Sequence, residues 1–323
     1  MLVAALEPLQ VAQAIDVAVM VCGGLCTVGF VIWLIRRDEW RNPLAGVRRA
    51  ALWRTVAAPA QSPTPDELAP GAPEPPAARV LLGPEGPTLL HIILALFAYL
   101  IAAQLVTALV LHGQDLQAAT QPSTQAWYLY QAADTLAKLL ASALAIFMLA
   151  RHPLFPLGGT RSGVGRQIGI GLLTGVALTA ITFVQLQMGA IIWQWLHEGQ
   201  ELPLHPVLLA LKESQVGWWG PAVLVVAAVV AAPLAEELFF RGLVLGVMWR
   251  LTGRAWIAVI TSGVAFGAIH GQPQDILPLC TMGIALGYVR LRTRSLVPVI
   301  IAHALFNART MILALLFPEM ISG

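Results

Sequence analysis

Residues 218–254, WWGPAVLVVAAVVAAPLAEELFFRGLVLGVMWRLTGR, decide how the chain is read, because they set Glu236, Glu237 and Arg241 inside an apolar run of membrane length. A hydrocarbon core of ~30 Å takes about 20 apolar residues in a helix, and an ionisable group within it costs roughly 2.5–3.5 kcal/mol on insertion scales. Three such groups need a use. On a helix, Glu237 and Arg241 stand four residues apart with the acid on the N-terminal side, the favourable order for an ion pair. Adjacent residues point about 100° apart, so Glu236 looks toward a different neighbour and becomes the candidate for chemistry.

The composition around this stretch sets the class. The chain has 323 residues, of which 58% are hydrophobic and 11% charged, with a mean hydropathy of +0.75; a soluble protein carries roughly 25% charged residues. The expected fold is all-α, a polytopic membrane protein in contact with the lipid bilayer. A net charge of +2 is too small to indicate nucleic acid as a partner. Cys22, Cys26 and Cys280 lie in apolar runs and read as small buried hydrophobes with no disulfide framework. The N-terminus lacks the basic region of a signal peptide, so the first apolar run is expected to stay as a helix.

Apolar runs fall near residues 14–35, 88–111, 127–150, 166–195, 219–250, 255–271, 276–290 and 296–317, which predicts about eight transmembrane helices. Arginines follow every second run: Arg36, Arg37, Arg41, Arg48, Arg49, Arg54 and Arg79, then Arg151, Arg161 and Arg166, then Arg250 and Arg254, then Arg290, Arg292 and Arg294. The opposite loops hold a single lysine, Lys212. The positive-inside rule therefore predicts a cell-membrane protein with both termini outside and the basic loops in the cytoplasm.

This pattern divides the chain into a first transmembrane helix (1–35), a cytoplasmic insert (36–87), accessory transmembrane helices (88–200) and a core (219–317) that holds the charged stretch. The second half of the insert is rich in Pro, Ala and Gly and reads as a flexible linker. Its first half mixes Trp40, Leu44, Val47, Leu52 and Trp53 with arginines, a composition suited to an interfacial helix on an anionic leaflet. In the third run Asp134 and Lys138 are spaced to satisfy each other. No internal repeat of the kind that builds an inverted-repeat transporter is visible.

Two further runs carry polar groups. Run six ends AFGAIHGQ, with Phe266 and His270 four apart, and run eight contains IAHALFNAR, with His303 and Asn307 four apart on one helix face. At ~1.5 Å per residue from the inner ends of their runs, Glu236 and His270 lie about 20 Å deep and His303 about 10 Å deep. With tilt the three can meet.

The ordered set EELFFR (Glu236, Glu237, Arg241), FGAIH (Phe266, His270) and HALFN (His303, Asn307) resembles the CAAX protease and bacteriocin-processing (CPBP) family of intramembrane endopeptidases, which includes the type II CAAX prenyl endopeptidases. Each motif is short; three in order, each on its own predicted helix, are specific. The resemblance covers about residues 219–315 and implies cleavage of a membrane-associated peptide or protein substrate, in some relatives a prenylated one.

Amide hydrolysis needs an activated water and donors for the tetrahedral oxyanion. Glu236 can be the base, His270 can hold the water or pass a proton, and His303 and Asn307 can supply N–H donors. The rival assignment is a Zn2+ site with Glu236, His270 and His303 as ligands, which leaves Glu237 as base. The resemblance leaves both open. The sequence has no HExxH, GxGD or GxSG motif; in HEGQE, Glu201 stands where the second histidine would be. Buried Glu, His and Arg also suit an ion- or proton-coupled membrane transporter, and a catalytically silent scaffold or immunity protein is the third class. A cavity open sideways to lipid marks the protease, and alternating gates mark the transporter.

Overall fold

The computed structural model describes residues 89–113, 118–121, 124–149, 163–200, 205–212, 216–271 and 273–317, together with scattered positions between 17 and 32. Every regular element among them is helical: α1 Leu89–Val110, α2 Gln125–Leu149, α3 Val164–Leu196, α4 Pro206–Lys212, α5 Trp219–Trp249, α6 Ala255–Ala268, α7 Pro273–Thr293 and α8 Val297–Leu316, with a short 3₁₀ turn at Ala118–Thr120. The first apolar run lies largely outside the described residues, and the insert at 36–87 lies wholly outside them.

The other seven runs are helices, and the described residues do not confirm the expected count of eight spans. Four, α1, α3, α5 and α8, are long and apolar enough to cross a membrane. Of the rest, α2 has 25 residues with the Asp134–Lys138 pair in its middle, α6 has 14 residues, and α7 has Asp275 in its first turn and Arg290 and Arg292 in its last. In α1, mean hydropathy reaches 2.4 and Val106 is the buried residue, as expected of a helix that faces lipid on nearly all sides.

The quoted stretch is the hub of the bundle. Helix α5 packs against α1, α2, α6, α7 and α8, and α3 closes the far side by lying on α7 and α8. Leu238, Phe240, Phe266, Met282, Leu286, Val299 and Ala302, all buried, form the core between these helices. Where lipid supplies no hydrophobic drive for association, small residues let backbones approach closely. Gly171 and Gly175 on α3 sit against the Pro298 and Ala302 carbonyls of α8, and Gly263 and Gly267 on α6 against Gly283 and Cys280 of α7. A Cβ on Gly263 would come 2.6 Å from the Ile284 nitrogen, so these crossings admit only glycine.

The backbone of α5 is not regular. Its α-helical register widens to π-helical over Ala227–Ala231 and again over Leu238–Val244, on either side of the turn Ala232–Glu237 that carries both carboxylates. Such bulges rotate everything beyond them by one residue step. Pro233 inside the helix supplies the cause for the first, since it has no N–H and crowds the carbonyl before it.

Candidate active site

Glu237 and Arg241 form the predicted pair. Arg241 Nη1 donates to Glu237 Oε1 at 2.8 Å, with both side chains fully shielded. Arg241 Nη2 donates to the Gly283 carbonyl of α7 at 3.0 Å, and its guanidinium carbon lies 4.7 Å from the centre of the Phe266 ring. The same Glu237 oxygen accepts from His303 Nδ1 at 2.9 Å. One carboxylate oxygen therefore ties α5 to α8 directly and to α7 through Arg241. Burying the pair is tolerable because the two charges are matched, although Glu237 Oε2 and Arg241 Nε are buried without a hydrogen-bond partner among the described residues; removing one partner of such a pair costs about 3–5 kcal/mol.

Glu236 is placed differently. Its side chain keeps 20% exposure, and its Oε2 lies 3.9 Å from His270 Nε2 and 3.9 Å from His303 Nε2. Both distances are too long for a direct hydrogen bond and are of the size that one bridging water spans. The rings are held so that these nitrogens face the carboxylate. His270 sits in the turn that closes α6, ahead of Gly271 at φ +72°, and its Nδ1 lies 2.8 Å from the Phe266 carbonyl. A carbonyl only accepts, so Nδ1 carries the hydrogen and, in the neutral ring, Nε2 presents its lone pair. His303 is oriented the same way by the Glu237 carboxylate. Phe266, with no exposed surface, meets three rings in tilted or edge-to-face contact: its ring centre is 4.9 Å from that of His270, 5.7 Å from His303 and 5.2 Å from Phe240.

Asn307 lies one turn beyond His303 on α8, and its Nδ2 donates to the Ala228 carbonyl of α5 at 2.7 Å. One of the two N–H groups expected to serve an oxyanion is thus committed to the backbone. His303 as a neutral ring has its hydrogen on Nδ1, so a donor role for Nε2 requires a second proton on that ring.

The zinc set is a matter of fit. Oriented imidazoles backed by a carboxylate and a carbonyl are the chemistry a metal uses. Two ligands about 2.0–2.2 Å from one tetrahedral ion stand roughly 3.3–3.6 Å apart, closer than the 3.9 Å found from Glu236 to either histidine. No group of three His, Cys, Asp or Glu side chains among the described residues is close enough to hold a metal. As arranged, Glu236, His270 and His303 do not fit a zinc ion, and the expected metal set is not assembled.

The structure therefore brings together Glu236, Glu237, Arg241, His270 and His303 from α5, α6 and α8, with Asn307 on the adjoining turn. Pro233 and the Gly283 carbonyl belong to the same construction. Proline inside an apolar helix was their legible signal for the first; the second is a backbone group that no side-chain pattern marks.

Residues 218–309 match the family of type II CAAX prenyl endopeptidases described as Rce1-like. The matched segment holds every residue of the three motifs. Over 196 residues the chain is 24% identical to "Putative membrane peptidase YdiL" of Bacillus subtilis (strain 168), covering 60% of this chain and 77% of the relative. No solved structure matches the chain. The Rce1-like match and the relative's description support a membrane-embedded protease that acts on a peptide or protein.

Proposed function

We propose that the protein is an intramembrane endopeptidase that hydrolyses a peptide bond of a membrane-associated peptide or protein, with Glu236 as the base. The observation that carries this reading is the division of labour between the two adjacent carboxylates: Glu237 is closed off by Arg241 and His303, while Glu236 is open and faces two Nε2 atoms at 3.9 Å.

In this reading a water sits between Glu236 and His270. Glu236 takes one of its protons as the oxygen attacks the scissile carbonyl carbon, and His270 Nε2 accepts a hydrogen bond from the other. The tetrahedral intermediate collapses with loss of the C–N bond, and Glu236 returns its proton to the leaving amine. His303, protonated on Nε2, and the remaining N–H of Asn307 face the developing oxyanion. Every proton is accounted for on these side chains.

The region 219–317 is the catalytic core in this proposal, residues 88–200 are accessory helices, and 36–87 is a cytoplasmic tether. Both termini are outside the cell membrane and the basic loops are cytoplasmic. The test is a comparison of membrane peptides in cells that carry the native chain or Glu236→Ala. Uncut peptides that accumulate only with Glu236→Ala support the reading and identify the substrate; identical peptide profiles sink it.

A further inference from the structure

Pro233 lies three residues before Glu236 in the interior of α5. A proline there contributes no N–H, so one carbonyl on the preceding turn loses its donor. The register identifies which one. Over the widened turn Ala227–Ala231 the bonds reach back five residues, and the Ala232 N–H binds the Ala227 carbonyl. The next bond in that register would run from residue 233 to the Ala228 carbonyl, and residue 233 has no hydrogen to give. Ala228 is the residue whose carbonyl accepts from Asn307 Nδ2 at 2.7 Å.

We infer that Asn307 is a positioning residue whose side-chain amide supplies the hydrogen bond that Pro233 cannot make, pinning α8 to the widened turn that aims Glu236. The requirement is strict, because backbone groups at membrane depth have no water to fall back on. The geometric consequence is direct. A π-helical turn absorbs one extra residue, so closing it to α-helical register turns Glu236 by about 100° about the helix axis. Asn307 sits one turn from His303 on the same helix, so a single bond fixes the direction of the carboxylate and its distance to one of the imidazoles that face it. Asn307 acts here through α5, in addition to any contact its second N–H makes.

The bond is a statement about the fold; its effect on cleavage rests on the endopeptidase reading above. A double-mutant cycle separates them. The purified full chain in detergent, with Asn307→Leu, Pro233→Ala and both changes, is followed by thermal unfolding and by cleavage of an internally quenched peptide that ends in a farnesylated Cys-aliphatic-aliphatic-X sequence. In the native background Asn307→Leu is expected to lower Tm by about 2–5 °C and cleavage by roughly tenfold or more. In the Pro233→Ala background, where residue 233 regains its N–H, the same change is expected to shift Tm by less than about 1 °C, and cleavage is expected to fall by less than in the native background, the remaining loss being that of the second N–H on the oxyanion. If Asn307→Leu is recovered unfolded, Pro233→Ala must restore the folded yield. Equal losses from Asn307→Leu in both backgrounds overturn the inference, as does a loss of cleavage with no change in Tm, which would place the amide on the reacting carbonyl instead. If the native protein leaves this peptide intact, that result counts against the endopeptidase reading with a prenylated substrate, and the Tm cycle still decides the bond.

Discussion

Arg241 reaches past its ion-pair partner to the Gly283 carbonyl, 3.0 Å from its Nη2, so the guanidinium is a cross-brace between α5 and α7 as well as a counter-ion. Two donors in a fixed fork are what lysine lacks. Arg241→Lys is expected to keep the charge on Glu237 but lose the bond to Gly283, at a cost of about 1.5–3 kcal/mol. Chemical or thermal unfolding of the purified variant checks this; native stability in Arg241→Lys would mean that the brace carries no weight.

The same carbonyl lies at a crossing that a methyl group cannot enter. A Cβ on Gly283 would meet the Gly263 Cα and carbonyl oxygen at 2.7 Å, both backbone, whereas one on Gly287, a turn further along α7, would meet Val259 side-chain carbon at 3.5 Å, an ordinary contact. Gly283→Ala is therefore expected to abolish the folded protein, and Gly287→Ala to leave its yield and stability near native. Similar behaviour of the two variants would contradict the close approach of α6 and α7.

Topology follows from the arginine alternation. Reporters fused at residues 60, 160 or 292 are expected to read cytoplasm, and those at 118, 205 or the C-terminus the outside. An external signal at residue 60 would reverse the orientation. Deleting about residues 60–80 is expected to leave folding and cleavage intact if the insert is a tether.

Helical spacing made several of these contacts readable in advance. Glu237–Arg241 and Asp134–Lys138 are both four apart in sequence, and both are ion pairs, at 2.8 and 2.7 Å. The latter is joined by Tyr99, whose hydroxyl donates to Asp134 at 2.6 Å across from α1, a contact between helices that periodicity along one chain segment does not reveal. The number of spans was harder, because an apolar run marks a helix without showing that it is long enough to cross, as with the 14 residues of α6. The destination of the Asn307 amide was hidden for another reason: it depends on a π-helical turn, and the 3.6-residue rule assumes that no such turn is present. The glycines of the GxxxG spacings at Gly171–Gly175 and Gly263–Gly267 lie at the helix crossings.

The two carboxylates give the sharpest test of the mechanism, since their surroundings differ although they are neighbours. Glu236 takes no part in the buried ion pair, so Glu236→Gln, which keeps volume and hydrogen bonding but cannot accept a proton, is expected to abolish cleavage with unchanged stability. Glu237→Gln removes the charge opposite Arg241, and both side chains are fully shielded, so it is expected to cost about 3–5 kcal/mol. Adding Arg241→Met is expected to recover part of that stability, because no unpaired cation is then left among the helices. Cleavage should not return with it: the amide oxygen that replaces the Glu237 carboxylate can still accept from His303 Nδ1, 2.9 Å away in the native chain, but it carries no charge to balance a His303 ring that donates from both nitrogens. Thermal unfolding, bound metal and peptide cleavage measured on the same preparations check each step. A stable but inactive Glu237→Gln beside an active Glu236→Gln would move the base to Glu237, and a metal lost with Glu236→Gln would bring back the zinc assignment.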